Sequence, residues 1–385
     1  MAKIQDLRDI PLTGGPIEIR GALELEATAA GILPSRLPAW TRAQYQDASM
    51  ERVAVKPSGV HLALRTSATT IELDVLTTVT HWALEERPAD AGPVELLVDG
   101  KVVQTQPAPV GNVRVITVFH TGGELTPGPA GRIRFEDLDP REKDVEIWLP
   151  HRSGTELVAL RADAEVTAPT PTGHRRWVHY GSSISQCEEA DVPTGVWPAI
   201  VARLAGVDVV NLGLGGNCYL DPFVARSIRD TPADLISLKL GINFTSRAAL
   251  HLRTLGPAVH GFLDTIRERH PETPILVVSP VSCPALEDRP GPAQWGPDGR
   301  YDGRDDPDAV ANGALTLTVV RSELCRIVAE RSRQDANLHY LDGTALFGPA
   351  EAPTLTDGLH PGPDGYRLIG ERFAKLAFGP GGAFA

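Results

Sequence analysis

The stretch "RWVHYGSSISQC", Arg176 to Cys187, passes from alternating apolar residues through one glycine into a run of small hydroxyl side chains. "RWVHY" reads as a strand, and "GSSIS" as the turn at its C-terminal end where a helix begins. That is the place where open α/β sheets form their ligand crevice. A serine here can stand exposed as a nucleophile. Its own backbone N–H, at a helix N-terminus, can donate to a developing oxyanion. Ser182, Ser183 and Ser185 would serve equally well as caps and turn formers, and the stretch alone favours that plainer role.

Working outward toward the C-terminus, strands alternate with amphipathic helices, which implies a mostly parallel sheet covered on both faces. "PAIVARLAG" reads as a helix ending at Gly206, followed by "VDVVNLG" and "ADLISLKLG" as strands. "AVHGFLDTIRERH" is a helix, "PILVVSPV" a buried strand, "LTLTVVRSELCRIVAERSRQ" a long helix and "NLHYLDG" the last strand. "GYRLIGERFAKLAF" carries apolar residues at helical spacing. A Pro-, Gly- and Asp-rich insertion, Cys283 to Ala309, interrupts the pattern and is either a functional lid or a disordered surface segment.

Toward the N-terminus the texture differs. "VHLALRT", "TTIELDVLT", "NVRVITVFH", "GRIRFEDL" and "DVEIWLP" are short alternating segments, the pattern of antiparallel strands with one wet face. "PVELLVDGKVVQTQ" sets Asp99-Gly100 between two apolar runs, a tight-hairpin signal. The expectation is an α/β protein with an N-terminal antiparallel β-sandwich, jelly-roll-like, over 1–166. A Pro- and Thr-rich linker spans 167–175, and the α/β domain runs over 176–385.

With 385 residues the chain has ample length to bury two cores. A net charge of -12 argues against an electrostatic nucleic-acid binder. Neither a signal-peptide run nor a bilayer-length apolar stretch is present, so the expectation is a soluble, cytoplasmic protein without membrane partners. Cys187, Cys218, Cys283 and Cys325 form no CxxC pair, which suggests neither zinc nor a disulfide framework.

Three further segments bear on the serine. "VVNLGLGGN" carries Gly213, Gly215 and Gly216 after the second strand, and "LKLGINFTS" ends the third in Gly241-Ile242-Asn243. Both loops belong on the sheet edge of "GSSIS" and can offer backbone N–H groups and a side-chain amide to an oxyanion. "TDGLHPGPDGY" places Asp357 three residues before His360, so the carboxylate can reach one ring nitrogen while the other points outward. An elbow of the G-x-S-x-G type is disfavoured, because Ser185 stands where its second glycine should be.

Taken in order, these blocks resemble the SGNH hydrolases, the GDSL family of esterases and acyltransferases, from about Arg176 onward. The resemblance implies a flavodoxin-like three-layer domain with Ser183 as nucleophile and Asp357 and His360 completing the triad. It implies an oxyanion hole from Ser183, Gly216 and Asn243. Two positions depart from the family: Ser182 stands where its first block has Asp, and Phe244 where Asp follows the third-block Asn. Both neighbour the pocket and put substrate and rate in question.

The chemistry implied is acyl transfer through an acyl-enzyme, with no cofactor. The overall organisation also resembles a polyketide-tailoring acyltransferase, which implies an aryl- or other acyl-CoA donor and a polycyclic alcohol acceptor. Hydrolysis by water, as in a carboxylesterase or carbohydrate deacetylase, is the alternative. A reading from another class is a carbohydrate-binding protein with a silent hydrolase-like domain, for which Trp82 and Trp148 could form a stacking platform. Ser182, Tyr219, Phe244 and Trp295 are candidates for the substrate pocket. Arg226, Arg229 and Arg247 are candidates for CoA phosphates.

Overall fold

The computed structural model describes residues 7–83 and 88–385; residues 1–6 and 84–87 of the expected N-terminal domain lie outside the described residues. The chain divides into one unit of Met1–Gly173 with Asp191–Thr194, and a second of His174–Ala190 with Gly195–Ala385.

In the first unit, period-two patterning builds two sheets. Along Ile71–Trp82, Leu73, Val75, Thr77 and Val79 are buried while their neighbours are less so. This strand pairs antiparallel with Gly154–Ala162 and Gly131–Phe135. In the other sheet Lys143–Trp148 lies between His61–Thr66 and Pro93–Val98, antiparallel to both. Leu62, Leu64, Leu96 and Ile147 from this sheet share one apolar core with Leu73, Val75, Phe135 and Leu157 from the first.

The hairpin expected at Asp99-Gly100 joins Pro93–Val98 to Lys101–Pro107, with φ of 48° and 76° at the two turn residues. Two positive φ values in a two-residue loop match the right-handed twist of the flanking strands.

Two features depart from the sequence reading. Thr78–Trp82 pairs parallel, not antiparallel, with Asn112–Ile116. Between these strands the chain makes the 93–107 hairpin in the other sheet, and it therefore returns running the same way. A helix, Ala48–Ala54, also lies among the strands, capped by Asp47, whose carboxylate accepts the Ser49 N–H at 2.7 Å. Seven residues make two turns, too few for periodicity to stand out.

Part of the expected linker is built into the first unit: Val166–Thr167 pairs with His61–Thr66, and the Thr170 N–H donates to Asp144 at 2.9 Å. Trp148 is 3% exposed and stacks on His61 at 4.4 Å, so it offers no open platform, whereas Trp82 is 42% exposed beside Phe119.

The second unit has strands β1 (Arg175–Gly181), β2 (Val207–Gly213), β3 (Leu235–Lys239), β4 (Ile275–Val278) and β5 (Leu338–Leu341). All pair in parallel in the order 2-1-3-4-5. Its helices are α1 (Ser183–Gln186), α2 (Trp197–Ala205), α3 (Pro222–Asp230), α4 (Ile242–Ser246), α5 (Leu252–Arg267), α6 (Pro307–Ala311), α7 (Leu317–Arg331) and α8 (Pro363–Phe378).

Both sheet faces are covered. Trp177 packs on Trp197 of α2 and Phe373 of α8, while Tyr180, three residues further along β1 and so facing the other way, stacks on Phe262 of α5. In this order the direction of winding reverses beside β1, so the crevice opens at the C-terminal ends of β1 and β3. The α3 helix, absent from the sequence reading, is short and carries three polar or charged residues in its last four.

The 283–309 insertion is ordered. It contains a small hairpin, Gln294–Trp295 with Tyr301–Asp302, and is tied back by Gly303 N–H to Ala285 O at 3.1 Å and Arg304 N–H to Pro290 O at 2.9 Å. Among the described residues no helix is long and apolar enough to cross a membrane, and no His, Cys, Asp and Glu side chains group as a metal site.

Replacing Gly100 by alanine puts a Cβ on a left-handed residue, and the expected cost is about 1 kcal/mol. The expected outcome is a lower urea midpoint for loss of the β-sheet signal; an unchanged midpoint would refute the turn assignment.

Candidate active site

The end of β1 places three serines in three environments. Ser182 is the N-cap of α1, its Oγ accepting the Ile184 N–H at 3.3 Å, and is 1% exposed. Ser185 is fully buried, while Ser183, the first residue of the helix, is partly exposed. Ser182 is therefore a helix cap with almost no exposed surface.

The single turn of α1 is held by the second glycine-rich loop. A Cβ on Gly213 would lie 2.3 Å from the Gln186 nitrogen, so only glycine lets α1 sit this close to β2. Gln186 Oε1 accepts the Gly215 N–H at 3.0 Å, Asn211 Nδ2 donates to Ser185 O at 2.9 Å, and the Leu214 N–H donates to Gly181 O at 2.8 Å. These bonds fix the loops after β1 and β2 to each other.

Two histidines lie near the serines. His179 is fully buried, with Nε2 on Ser185 Oγ at 2.8 Å and Nδ1 on Ser237 Oγ at 2.7 Å. Burial, aided by the charge of Lys239, holds its pKa well below the imidazole range, so it is a neutral core residue. His360 is the one that meets Ser183, Nε2 to Oγ at 2.8 Å.

Asp357 explains why three-residue spacing works outside a helix. Its Oδ1 accepts the backbone N–H groups of Leu359 (2.9 Å) and His360 (2.7 Å), which closes a turn. Oδ2 then lies 2.7 Å from His360 Nδ1. Burial pushes the carboxyl up, but the hydrogen bond and charge of His360 and the two backbone donors outweigh it and hold Asp357 at about 2. For His360, burial favours the neutral ring. The charge of Glu189, with the hydrogen bond and charge of Asp357, overcomes it and raises the pKa above the ordinary imidazole value.

Donors gather on the serine side. Asn243, on α4 after β3, is 4% exposed; its Oδ1 accepts the Cys218 N–H at 3.1 Å, which leaves Nδ2 as donor. Gly216 sits in the loop after β2 with φ of +68°. Among the described residues, the Ser183 and Gly216 N–H groups and Asn243 Nδ2 have no protein acceptor.

The insertion reaches the same place. The Tyr301 N–H donates to Asp357 O at 2.7 Å, its ring stands edge-on to His360 with centroids 6.5 Å apart, and Trp295 packs edge-on to Tyr301 at 4.8 Å. Trp295 is 60% exposed. Burial, with the charge of Asp357, raises the Tyr301 pKa, so its hydroxyl stays protonated. Tyr301 and Glu189 were not singled out from sequence. Tyr301 sits in an aperiodic insertion and Glu189 in an ordinary-looking acidic pair, so neither carried a signal.

The remaining pocket candidates separate by burial. Phe244 is fully buried and walls no open surface, while Tyr219 is half-buried beyond Gly216. Arg229 is ion-paired with Asp230 and Glu268 at 2.9 and 2.8 Å. Arg226 is partly buried on α3; Arg247 is exposed and close enough for its charge to act on Tyr301.

With this geometry in place, the likenesses to known proteins acquire meaning. Residues 174–285 match the GDSL-like lipase/acylhydrolase family. Among curated proteins no match is found. Among solved structures, the chain is similar to the salicylyl-acyltransferase SsfX3 from a tetracycline biosynthetic pathway, at 26% identity, with 95% of each chain covered and a TM-score of 0.80. It is similar in fold to a candidate GDSL-like lipase from Bacteroides ovatus (20% identity, 96% of each chain, TM-score 0.66). A family two carbohydrate esterase from Cellvibrio japonicus also shares the fold (12% identity, 96% of each chain, TM-score 0.57). The match over residues 174–285 and the likeness to the acyltransferase together support an SGNH-type serine acyltransferase or esterase.

Proposed function

We propose that Ser183, His360 and Asp357 form the catalytic triad of an acyltransferase that moves an acyl group, aryl in the favoured case, from a CoA thioester to a hydroxyl of a polyketide-type acceptor. The observation that carries the triad is the continuous path from Ser183 Oγ through the His360 ring to Asp357, at 2.8 and 2.7 Å. The transferase reading is supported by likeness to SsfX3 across both units. The aryl preference is supported by Tyr301 standing edge-on to His360, with Trp295 packed on Tyr301. An acyl-CoA donor would make the reaction cytoplasmic. The same reading takes the first unit as a jelly-roll-like β-sandwich module and the second as a flavodoxin-like three-layer catalytic domain.

In the proposed cycle His360 Nε2 takes the Ser183 proton as Oγ attacks the thioester carbonyl. Asp357 keeps Nδ1 protonated and steadies the imidazolium that forms. The N–H groups of Ser183 and Gly216 and the Asn243 amide receive the oxyanion. Collapse expels the thiolate, which takes the proton from His360. The acceptor hydroxyl then repeats the sequence in reverse and releases the ester.

Three outcomes test this reading. Exposure to aryl and alkyl thioesters should add one acyl mass to the wild type and to Ser182→Ala, and none to Ser183→Ala; an adduct that survives in Ser183→Ala excludes this nucleophile. Its lifetime in water against added alcohols separates transferase from esterase. Asn243→Ala should lower kcat by about a hundredfold to a thousandfold with little change in KM, and steady-state kinetics showing a pure KM effect would remove it from the oxyanion hole.

The third is pH dependence. A base with a raised pKa is protonated and inactive below it, so kcat/KM should rise with pH through a midpoint above the usual value of about 6.5. Asp357, at about 2, stays ionised throughout that range. A rising limb centred below the usual imidazole value would contradict the assignment.

A further inference from the structure

His360 has more than one carboxylate beside it. Asp357 Oδ2 holds Nδ1 at 2.7 Å, and Glu189 Oε1 lies 3.8 Å from the same nitrogen. Glu189 belongs to the segment that leaves α1, six residues after Ser183. Its other oxygen accepts the hydroxyl of Tyr366 at 2.5 Å, and Tyr366 is fully buried on α8. The carboxylate is therefore held in place; with its side chain 31% exposed it is neither a free surface acid nor a sealed ion pair.

We propose that Glu189 is a second carboxylate of the catalytic relay, a positioning residue that stabilises the His360 imidazolium by charge while Asp357 orients the ring by hydrogen bonding. This rests on the reading of His360 as the general base.

The division of labour follows from distance and valence. Nδ1 carries one proton, and Asp357 at 2.7 Å takes it. At 3.8 Å Glu189 is outside hydrogen-bond range but well inside Coulombic range. Such a contact does nothing for the neutral ring and favours the ring once it has taken the Ser183 proton. The advantage recurs in both half-reactions, because each passes through the same imidazolium.

The other groups around His360 fit this assignment. Ser183 lies at Nε2, the Tyr301 ring stands edge-on from the insertion hairpin, and Tyr366 reaches the site only through Glu189. Glu188 adds a more distant negative charge, and Gln186 Nε2 donates to it at 3.3 Å. The charges that act most on His360 are those of the carboxylates Glu189, Asp357 and Glu188, while the Arg247 charge acts on the neighbouring Tyr301.

The test is imidazole NMR titration of the full chain, with the His360 resonances assigned by their loss in His360→Asn, on wild type, Glu189→Gln, Glu189→Asp and Tyr366→Phe. Glu189→Gln should move the His360 midpoint down by about one pH unit. The rising limb of kcat/KM should move by the same amount, with a several-fold fall in plateau kcat. Tyr366→Phe should give a smaller shift in the same direction, and Glu189→Asp should recover part of it.

A midpoint and limb unchanged in Glu189→Gln, with the protein still folded by its amide spectrum, would overturn the proposal. Loss of activity without any shift would do so equally, since a merely structural role predicts that result. The titration needs no substrate, so it reads Glu189 even if no acyl-enzyme forms. Failure of the acyl-transfer reading is then seen separately, in the absence of a wild-type adduct.

Discussion

The site depends on one carboxylate satisfying three donors. Asp357 closes its own turn through two backbone N–H groups and with its remaining oxygen fixes the imidazole. Without that turn, His360 would be a loop residue with several rotamers, and its Nε2 would have no defined line to Ser183. The orienting group and the group it orients lie three residues apart, so precision comes from a local motif and needs little from the distant chain. The cost of burying the acid is offset within the motif, which is why its pKa falls although burial alone would raise it.

The proposed nucleophile, Ser183, meets a different requirement. Ser183 must be exposed at the end of a buried strand, on a helix of only four residues that could not stand alone. Docking does this. Gly213 admits the helix at a distance no side chain would allow, and Gln186 and Asn211 bond it to the neighbouring loop. Beneath it, His179 and Ser185 complete a buried polar chain from Ser237, so the platform under Ser183 has its polar groups satisfied. The residues that fix Ser183 and those that fix His360 come from opposite ends of the domain's sequence, and the parallel sheet brings them to one edge.

The insertion shows how a segment without periodicity becomes part of a site. Its Pro, Gly and Asp content gives no secondary-structure signal, yet a backbone hydrogen bond from Tyr301 to Asp357 ties its hairpin to the Asp357 turn. The Tyr301 ring beside His360 is thus set by the loop that carries His360. A change in the insertion would alter the surroundings of the proposed catalytic groups without replacing them.

Much was legible from residues alone, because the signals were local. The Asp99-Gly100 turn needs only the φ tolerance of its two residues, the β-α alternation after Gly173 follows from burial on both sheet faces, and Asp-x-x-His closes on itself. The direction of the strand at Asn112–Ile116 was not legible, since it depends on which sheet takes the intervening hairpin. Nor was the choice among Ser182, Ser183 and Ser185 settled by residue type, for each is a serine in the same turn and only packing buries two of them. Tyr301 and Glu189 came to His360 through contacts 59 and 171 residues away in sequence. Sequence determines what lies within a few residues of itself; side chains that meet across such distances are brought together by the packing of the whole domain, and no short pattern encodes that.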